Sequence, residues 1–179
     1  FVQKLSQGGD FYVNDAFSCS HRAHASIDKI THFLPSFAGL LMAEEVAALD
    51  HILSTPKRPL TAIVGGAKIS TKLDLLQNFL SKVDHLVIGG AMANTFLQAQ
   101  GCQVGKSLTE ANMLATAAHI TELAKKSKKS LILPVDAVVA EALQANVVTR
   151  TVTLKEIGVK EMILDIGPKT VQLINDTLK

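Results

Sequence analysis

The chain has 179 residues, of which 47% are apolar and 19% charged, and its formal net charge is +2. That length allows one ordinary domain with a real core, or one domain and part of another. The near-balanced charge gives no case for nucleic acid or an acidic membrane surface as a partner. No apolar run reaches the roughly 18 residues of a membrane span, and no basic-then-apolar leader is visible. Cys19 and Cys102 stand far apart with no CxxC spacing, so both read as reduced thiols of a cytoplasmic protein. A start at Phe1 and not Met suggests a piece of a longer gene product.

Residues 1–5 read as the end of a helix, stopped by Gly8 and Gly9. Phe11-Tyr12-Val13 is a short strand ending in Asn14-Asp15, a pair better suited to a capping turn than to catalysis. The small polar run at residues 20–26 has neither period and reads as a loop. From residue 38 to 53, Met42, Val46, Leu49 and Leu53 recur at helical spacing. Ser36 is the expected cap, and Pro56 and Pro59 enforce a stop. Pro56-Lys57-Arg58-Pro59 is therefore a candidate domain boundary.

Beyond it, strands and helices alternate. Residues 60–64 form a buried-type strand ending in Gly65-Gly66. Residues 70–83 form a helix with Leu73, Leu76, Leu80 and Val83 on one face. Residues 85–88 are a second strand, ending in Gly89-Gly90. A long helix is expected over 109–129, with Thr109 as cap and four lysines at its negative end. Residues 130–135 and 161–164 read as strands, 147–154 as a hairpin or edge, and 169–178 as the start of a helix. Repeated βα units imply an α/β, Rossmann-like parallel sheet with helices on both faces, and ligands bind such sheets beyond the strands' carboxyl ends.

Gly65-Gly66-Ala67-Lys68-Ile69-Ser70-Thr71-Lys72 is the sharpest segment. It turns from strand to helix, and a helix start attracts anions. Lys68 and Lys72, four apart in the expected first turn, oppose the helix macrodipole there, a cost that a bound phosphate would offset. Spacing alone equally allows two solvated lysines. The segment is not a GxxxxGK[ST] loop, and Gly89-Gly90-Ala91-Met92-Ala93 is not GxGxxG, which argues against an NAD-dependent oxidoreductase. His21-Arg22-Ala23-His24 places a guanidinium suited to phosphate or carboxylate between two imidazoles; an exposed arginine between structural histidines stays open. No HxxxH or HExxH spacing exists, so no metal ligands are expected.

Six segments together resemble the phosphoglycerate kinase family, in a bacterial flavour. They are Tyr12-Val13-Asn14-Asp15-Ala16-Phe17, His21-Arg22-Ala23-His24-Ala25-Ser26, the Gly65–Lys72 segment, Ile88-Gly89-Gly90-Ala91-Met92-Ala93-Asn94-Thr95-Phe96-Leu97, Leu133-Pro134-Val135-Asp136 and Leu164-Asp165-Ile166-Gly167-Pro168-Lys169. The resemblance implies two Rossmann-like domains flanking a cleft, and phosphoryl transfer between 1,3-bisphosphoglycerate and ADP giving 3-phosphoglycerate and ATP, with Mg2+ bound to the nucleotide, in a monomer. It makes residues 1–37 the tail of the phosphoglycerate-binding N-domain, 38–55 the interdomain helix and 56–179 the first part of the nucleotide-binding C-domain. Arg22 matches the arginine that grips phosphoglycerate, flanked by His21 and His24. Lys72 matches the lysine on nucleotide phosphate and Lys68 the one that follows the transferring group. Gly66 and Ala67 match backbone contacts near the phosphates, Gly89 and Gly90 the loop beside the nucleoside, and Leu164 an adenine contact. Ala91 stands where many members have a third glycine, and Thr71 where some carry an aspartate. The family's early N-terminal segments and late glycine-rich segments do not occur here, so the isolated chain is expected to be inactive. A non-catalytic Rossmann-like nucleotide-binding module is the alternative.

Overall fold

Short strands and helices alternate along the chain, and a computed structural model describing residues 1–179 gathers them into two units, Phe1–Lys57 and Arg58–Lys179. In the first unit, α1 (Val2–Ser6) precedes β1 (Tyr12–Asn14), and β2 (Ser36–Ala38) pairs with β1 in parallel, Tyr12 opposite Ser36. Helix α2 (Leu40–Ser54) follows directly. Ser36 does not cap it, because pairing with β1 draws Ser36 into a strand. The cap comes instead from Asp15, whose Oδ1 accepts the Met42 N–H at 2.8 Å. Gly39 occupies the N-cap position, where a Cβ would lie 2.3 Å from Asp15 Cγ. Of the expected apolar stripe on α2, Met42 is buried, while Val46, Leu49 and Leu53 remain exposed.

In the second unit, β3 (Thr61–Val64), β4 (His85–Ile88) and β5 (Ser130–Ile132) form a parallel sheet in that order. The connections carry α3 (Leu73–Lys82), α4 (Gly90–Ala99) and α5 (Leu114–Lys126). Their core joins Val64, Leu86 and Ile88 of the sheet to Leu76 and Leu80 of α3, Met92 and Phe96 of α4, and Ile120 of α5. Burial on this scale, about 25 cal/mol per Å² of apolar surface, is what holds a sheet of such short strands together.

Three elements depart from the sequence expectation. Helix α4 has no amphipathic stripe to betray it, since every residue from Met92 to Leu97 is buried. Helix α5 starts at Leu114, after a 3-10 turn at Ala111–Met113, so Thr109 is not its cap. Helix α3 starts at Leu73, with Lys72 at the N-cap and Lys68 in the preceding loop, outside the first turn.

The parallel sheet also does not run on past β5. Strands β6 (Asp136–Ala140), β7 (Arg150–Thr153) and β8 (Met162–Ile166) form a second sheet, antiparallel, in the order β7-β6-β8. Residues 141–149, which join the paired strands β6 and β7, are too short for the helical crossover that parallel pairing needs. Helix α6 (Pro168–Thr177) closes the unit. Buried Asp136 caps it, accepting from the N–H groups of Lys169 and Thr170 and from the Thr170 hydroxyl. Burial pushes the Asp136 carboxyl up, but those donors and the Lys169 charge outweigh it and hold it below its ordinary value. No helix is long and apolar enough to cross a membrane.

The entry to the second unit is pinned by Asp84. Its Oδ2 accepts from Arg58 at 2.7 Å and from the Leu60 N–H at 2.8 Å, and Lys129 stands 3.6 Å from Oδ1. The Arg58 bond, then the Leu60 bond, lower the Asp84 carboxyl from 3.8 to about 2. A depressed folded-state value means that this contribution is present above the unfolded value and is lost as pH falls from about 4 to about 2. Asp84→Asn should therefore reduce stability at neutral pH, with the gap from the unsubstituted protein narrowing through that window. Urea titrations at pH 7, 4 and 2 test this; a gap that does not change with pH would contradict it.

Candidate functional site

Two glycine loops meet at the carboxyl end of β3 and β4. Gly89 donates its N–H to the Val64 carbonyl at 2.9 Å, and Gly66 accepts the Met92 N–H at 2.8 Å. Gly90 has φ +64°, and a Cβ there would lie 2.9 Å from the Gly66 nitrogen and 3.0 Å from its oxygen. Both the left-handed backbone and the close approach require glycine at this position. The strand ends thus touch backbone to backbone.

Lys72 lies over this junction. Its Cε would be 3.0 Å from a Cβ placed on Gly66, so the aliphatic stem runs along the glycine loop. Lys72 is half-buried and Lys68 exposed. Neither side chain has an ion-pair partner. Glu110 ties down the loop that carries them. Its Oε2 accepts the Ile69 N–H at 2.5 Å and the Ser70 N–H at 3.2 Å, and its Oε1 accepts the Ser70 hydroxyl at 2.5 Å. The Ser70 hydroxyl, the Ser70 and Ile69 amides and the Lys68 charge hold Glu110 below its ordinary value against the opposing effect of burial. Glu110 therefore stays ionised at neutral pH. The Ile69 and Ser70 N–H groups, at the expected start of the helix, are taken by this carboxylate, which leaves the two lysines as the free positive groups of the loop.

Beside the junction opens a cavity of about 420 Å³. Gly90, Ala91 and Asn94 of α4 line one side, with Leu108, Leu143 and Leu164 among the other lining residues. Its walls are mostly apolar with a few polar groups, the usual character of a small-molecule site. Asn94 is 3% exposed and donates from Nδ2 to the Leu108 carbonyl at 3.2 Å, fixing the segment that approaches Glu110.

Of the residues singled out by sequence, Gly66, Gly90 and Lys72 come together, and Gly90 and Leu164 both line the cavity. Gly89 is the N-cap of α4, and Ala67 is exposed in the loop between Gly66 and Lys68. His21, Arg22 and His24 form an exposed stretch of the first unit. The Arg22 N–H donates to the Cys19 carbonyl at 2.9 Å, and the His24 carbonyl accepts from Ile27 and Asp28, so the loop is ordered by its own backbone. The Arg22 guanidinium has no protein partner. Sequence reasoning missed Glu110 and Asn94. A polar residue inside an apolar run marked Asn94; nothing local marked Glu110, forty residues from Ser70.

The family model described as phosphoglycerate kinase matches residues 1–179. The chain is 57% identical over 178 residues to the phosphoglycerate kinase of Granulibacter bethesdensis, covering 99% of this chain and 45% of that protein. It is 53% identical over 176 residues to that of Rhizobium meliloti, covering 98% and 44%. Among solved structures, phosphoglycerate kinase from Coxiella burnetii superposes with a TM-score of 0.85 at 40% identity, over 99% of this chain and 46% of that one. The enzyme from Pyrococcus horikoshii gives 0.79 at 28% identity. The chain thus spans a little under half the length of the relatives it matches.

Gly90→Ala should part the two loops. The left-handed backbone alone costs about 1 kcal/mol with a Cβ present, and the contact with the Gly66 backbone adds to it. The expected sign is faster amide exchange at Met92, whose N–H binds Gly66, together with lowered stability. An unchanged Met92 exchange rate would show that the junction tolerates a methyl group.

Proposed function

This chain belongs to the phosphoglycerate kinase family, and we propose that it serves in a longer protein that transfers a phosphoryl group between 1,3-bisphosphoglycerate and ADP. The β-phosphate oxygen of ADP attacks the acyl phosphate. The bond from phosphorus to the carboxyl oxygen breaks, leaving 3-phosphoglycerate and ATP. Residues 1–37 are read as the end of the phosphoglycerate-binding domain, 38–55 as the linking helix and 56–179 as the first part of the nucleotide domain.

The observation that carries this reading is the placement of Lys72 over Gly66, whose backbone touches Gly90 at the edge of an apolar cavity. A nucleotide needs an apolar slot for its base next to a positive, backbone-lined place for its phosphates, and both lie side by side here. The nucleoside is assigned to the cavity, against Gly90 and Leu164, with Gly89 at its rim and Gly66 and Ala67 toward the phosphates. Lys72 neutralises the nucleotide phosphates, and Lys68 follows the transferred group. Arg22, unpaired and forked, takes the phosphoglycerate, with His21 and His24 beside it. Transfer of this kind needs positioning and charge neutralisation more than covalent help from the protein. Mg2+ belongs to the nucleotide when bound and neutralises its phosphate charge. No three His, Cys, Asp or Glu side chains converge in this chain, so its residues do not fit a metal cage and no step is assigned through the ion. The protein is read as a cytoplasmic monomer; Cys19 and Cys102 are both free thiols.

Steady-state kinetics on the full-length protein separate the two roles. Lys72→Ala should lower turnover by roughly one to three orders of magnitude, the range for losing one preorganised charge donor. Arg22→Lys, which keeps the charge and loses the fork, should raise the KM for phosphoglycerate well above its effect on the KM for ATP. Equal effects of Arg22→Lys on both substrates, or full turnover in Lys72→Ala, would contradict the assignment. The 179 residues alone should give no ATP from 1,3-bisphosphoglycerate in a coupled assay, because a single arginine represents the acceptor site and in-line transfer tolerates little misplacement. Turnover abolished by Lys72→Ala in that assay would overturn this.

A further inference from the structure

Glu110 is the residue of this site that the proposed chemistry leaves without a role, and it has more bonds than any group that the chemistry uses. It sits forty residues from the loop it binds and does not line the cavity. Its own backbone is held by α4: the Glu110 N–H donates to the Thr95 hydroxyl, on a residue with no exposed surface, at 3.1 Å. Two residues earlier, Leu108 lines the cavity, and its carbonyl is held by Asn94 of the same helix. From this fixed base the carboxylate reaches across to Ile69 and Ser70. Ile69 is fully buried in the core, and its carbonyl accepts the Lys72 N–H at 2.8 Å. Lys72 in turn lies over Gly66, whose carbonyl returns to α4 through Met92. The contacts close a ring: α4, residues 108–110, the lysine loop, Gly66 and α4 again.

We propose that Glu110 is a positioning residue for nucleotide phosphate: it fixes the Lys68–Lys72 loop to the helix that walls the cavity, so that the lysines are set at one distance from a bound nucleoside. This rests on the nucleotide reading of the same site. The physical logic is preorganisation. A loop with two lysines close together repels itself and would swing toward solvent; a carboxylate beneath it supplies both the opposing charge and three bonds that define the loop's position. Charge-assisted bonds of this type are about twice as strong as neutral ones. Glu110 does not touch the nucleotide in this arrangement. Its effect is exerted through Lys72, and it concerns the phosphates and not the base.

That difference gives the test. ADP and adenosine share the base and ribose, so the ratio of their dissociation constants reads the phosphate contribution alone, and a general loss of folding cannot imitate a change confined to ADP. Calorimetric titrations would use the full-length protein, unsubstituted and as Glu110→Ala, Glu110→Gln and Lys72→Ala. Glu110→Ala should leave adenosine affinity within about twofold and weaken ADP at least about tenfold, the equivalent of one charged hydrogen bond. Glu110→Gln should recover part of the loss, because it keeps the bonds and loses the charge. Its amide oxygen can still accept from Ile69 and Ser70, and its NH₂ can donate to the Ser70 hydroxyl. Should Glu110→Ala not fold, Ser70→Ala removes only the bond to Oε1 and carries the same expectation in weaker form, a selective loss for ADP. Equal weakening of both ligands, or unchanged ADP affinity, overturns the proposal. Loss of the ADP preference in Lys72→Ala but not in Glu110→Ala overturns it while leaving the nucleotide reading intact. No ADP preference in the unsubstituted protein overturns both.

Discussion

The second unit depends on a backbone contact with no room for a side chain. Where β3 and β4 end, Gly66 and Gly90 approach so closely that a single Cβ on Gly90 would strike the Gly66 main chain. Because of that approach, α4 can start immediately after β4, donate its Met92 N–H to Gly66 and bury its whole length from Met92 to Leu97. The burial of α4 then fixes Asn94 and Thr95, which hold residues 108–110. Glu110 at the end of that segment holds the lysine loop. Remove the close approach and each later contact loses its reference point. The glycines thus act less as flexible links than as spacers of zero size, and at Gly90 the left-handed backbone requires glycine as well.

A second pattern recurs across both units. Three carboxylates satisfy backbone donors far away in sequence: Asp15 at the start of α2, Asp136 at the start of α6 and Glu110 in the loop before α3. In the first two cases a glycine at the N-cap, Gly39 or Gly167, leaves space that a Cβ would take from the carboxylate. Local capping by Ser or Asp in the preceding residue would satisfy the same donors but would not tie the helix to anything. A distant carboxylate satisfies the donors and fixes where the helix begins relative to a strand. Asp136, at the head of β6, locks α6 to the antiparallel sheet; Asp15, after β1, locks α2 to the parallel pair. The motifs around Asp15 and Asp136 are therefore explained largely by architecture, and the glycines at 66 and 90 by the close approach of their loops beneath Lys72.

Much of this was legible in the chain. The α/β class, the parallel β3-β4-β5 core and the glycine loops followed from buried-type strands separated by helical periodicity and broken by Gly-Gly. Strand β4 was read to the residue. What was not legible had physical reasons. Helix α4 is buried all round from Met92 to Leu97, Asn94 and Thr95 included, so it shows no apolar stripe against a polar face. The antiparallel pairing of β6 with β7 follows from the short connection between them, and hydrophobic patterning does not distinguish the two pairings. Helix starts were misplaced at Ser36, Ser70 and Thr109 because their true caps, or the contacts that displace them, come from residues remote in sequence. Glu110 was invisible for the same reason: its partners are brought to it only when α4 is packed.

The central claim is that the cavity against α4 and the lysine over Gly66 are the two ends of one nucleotide site. A crystal structure of the full-length protein with ADP and Mg2+ tests it most directly. The expected result is the nucleoside in the cavity against Gly90, Ala91 and Leu164, with a phosphate oxygen within roughly 2.7–3.2 Å of Lys72 Nζ. A nucleoside bound outside that cavity, or phosphates directed away from Lys72 and Gly66, would contradict it.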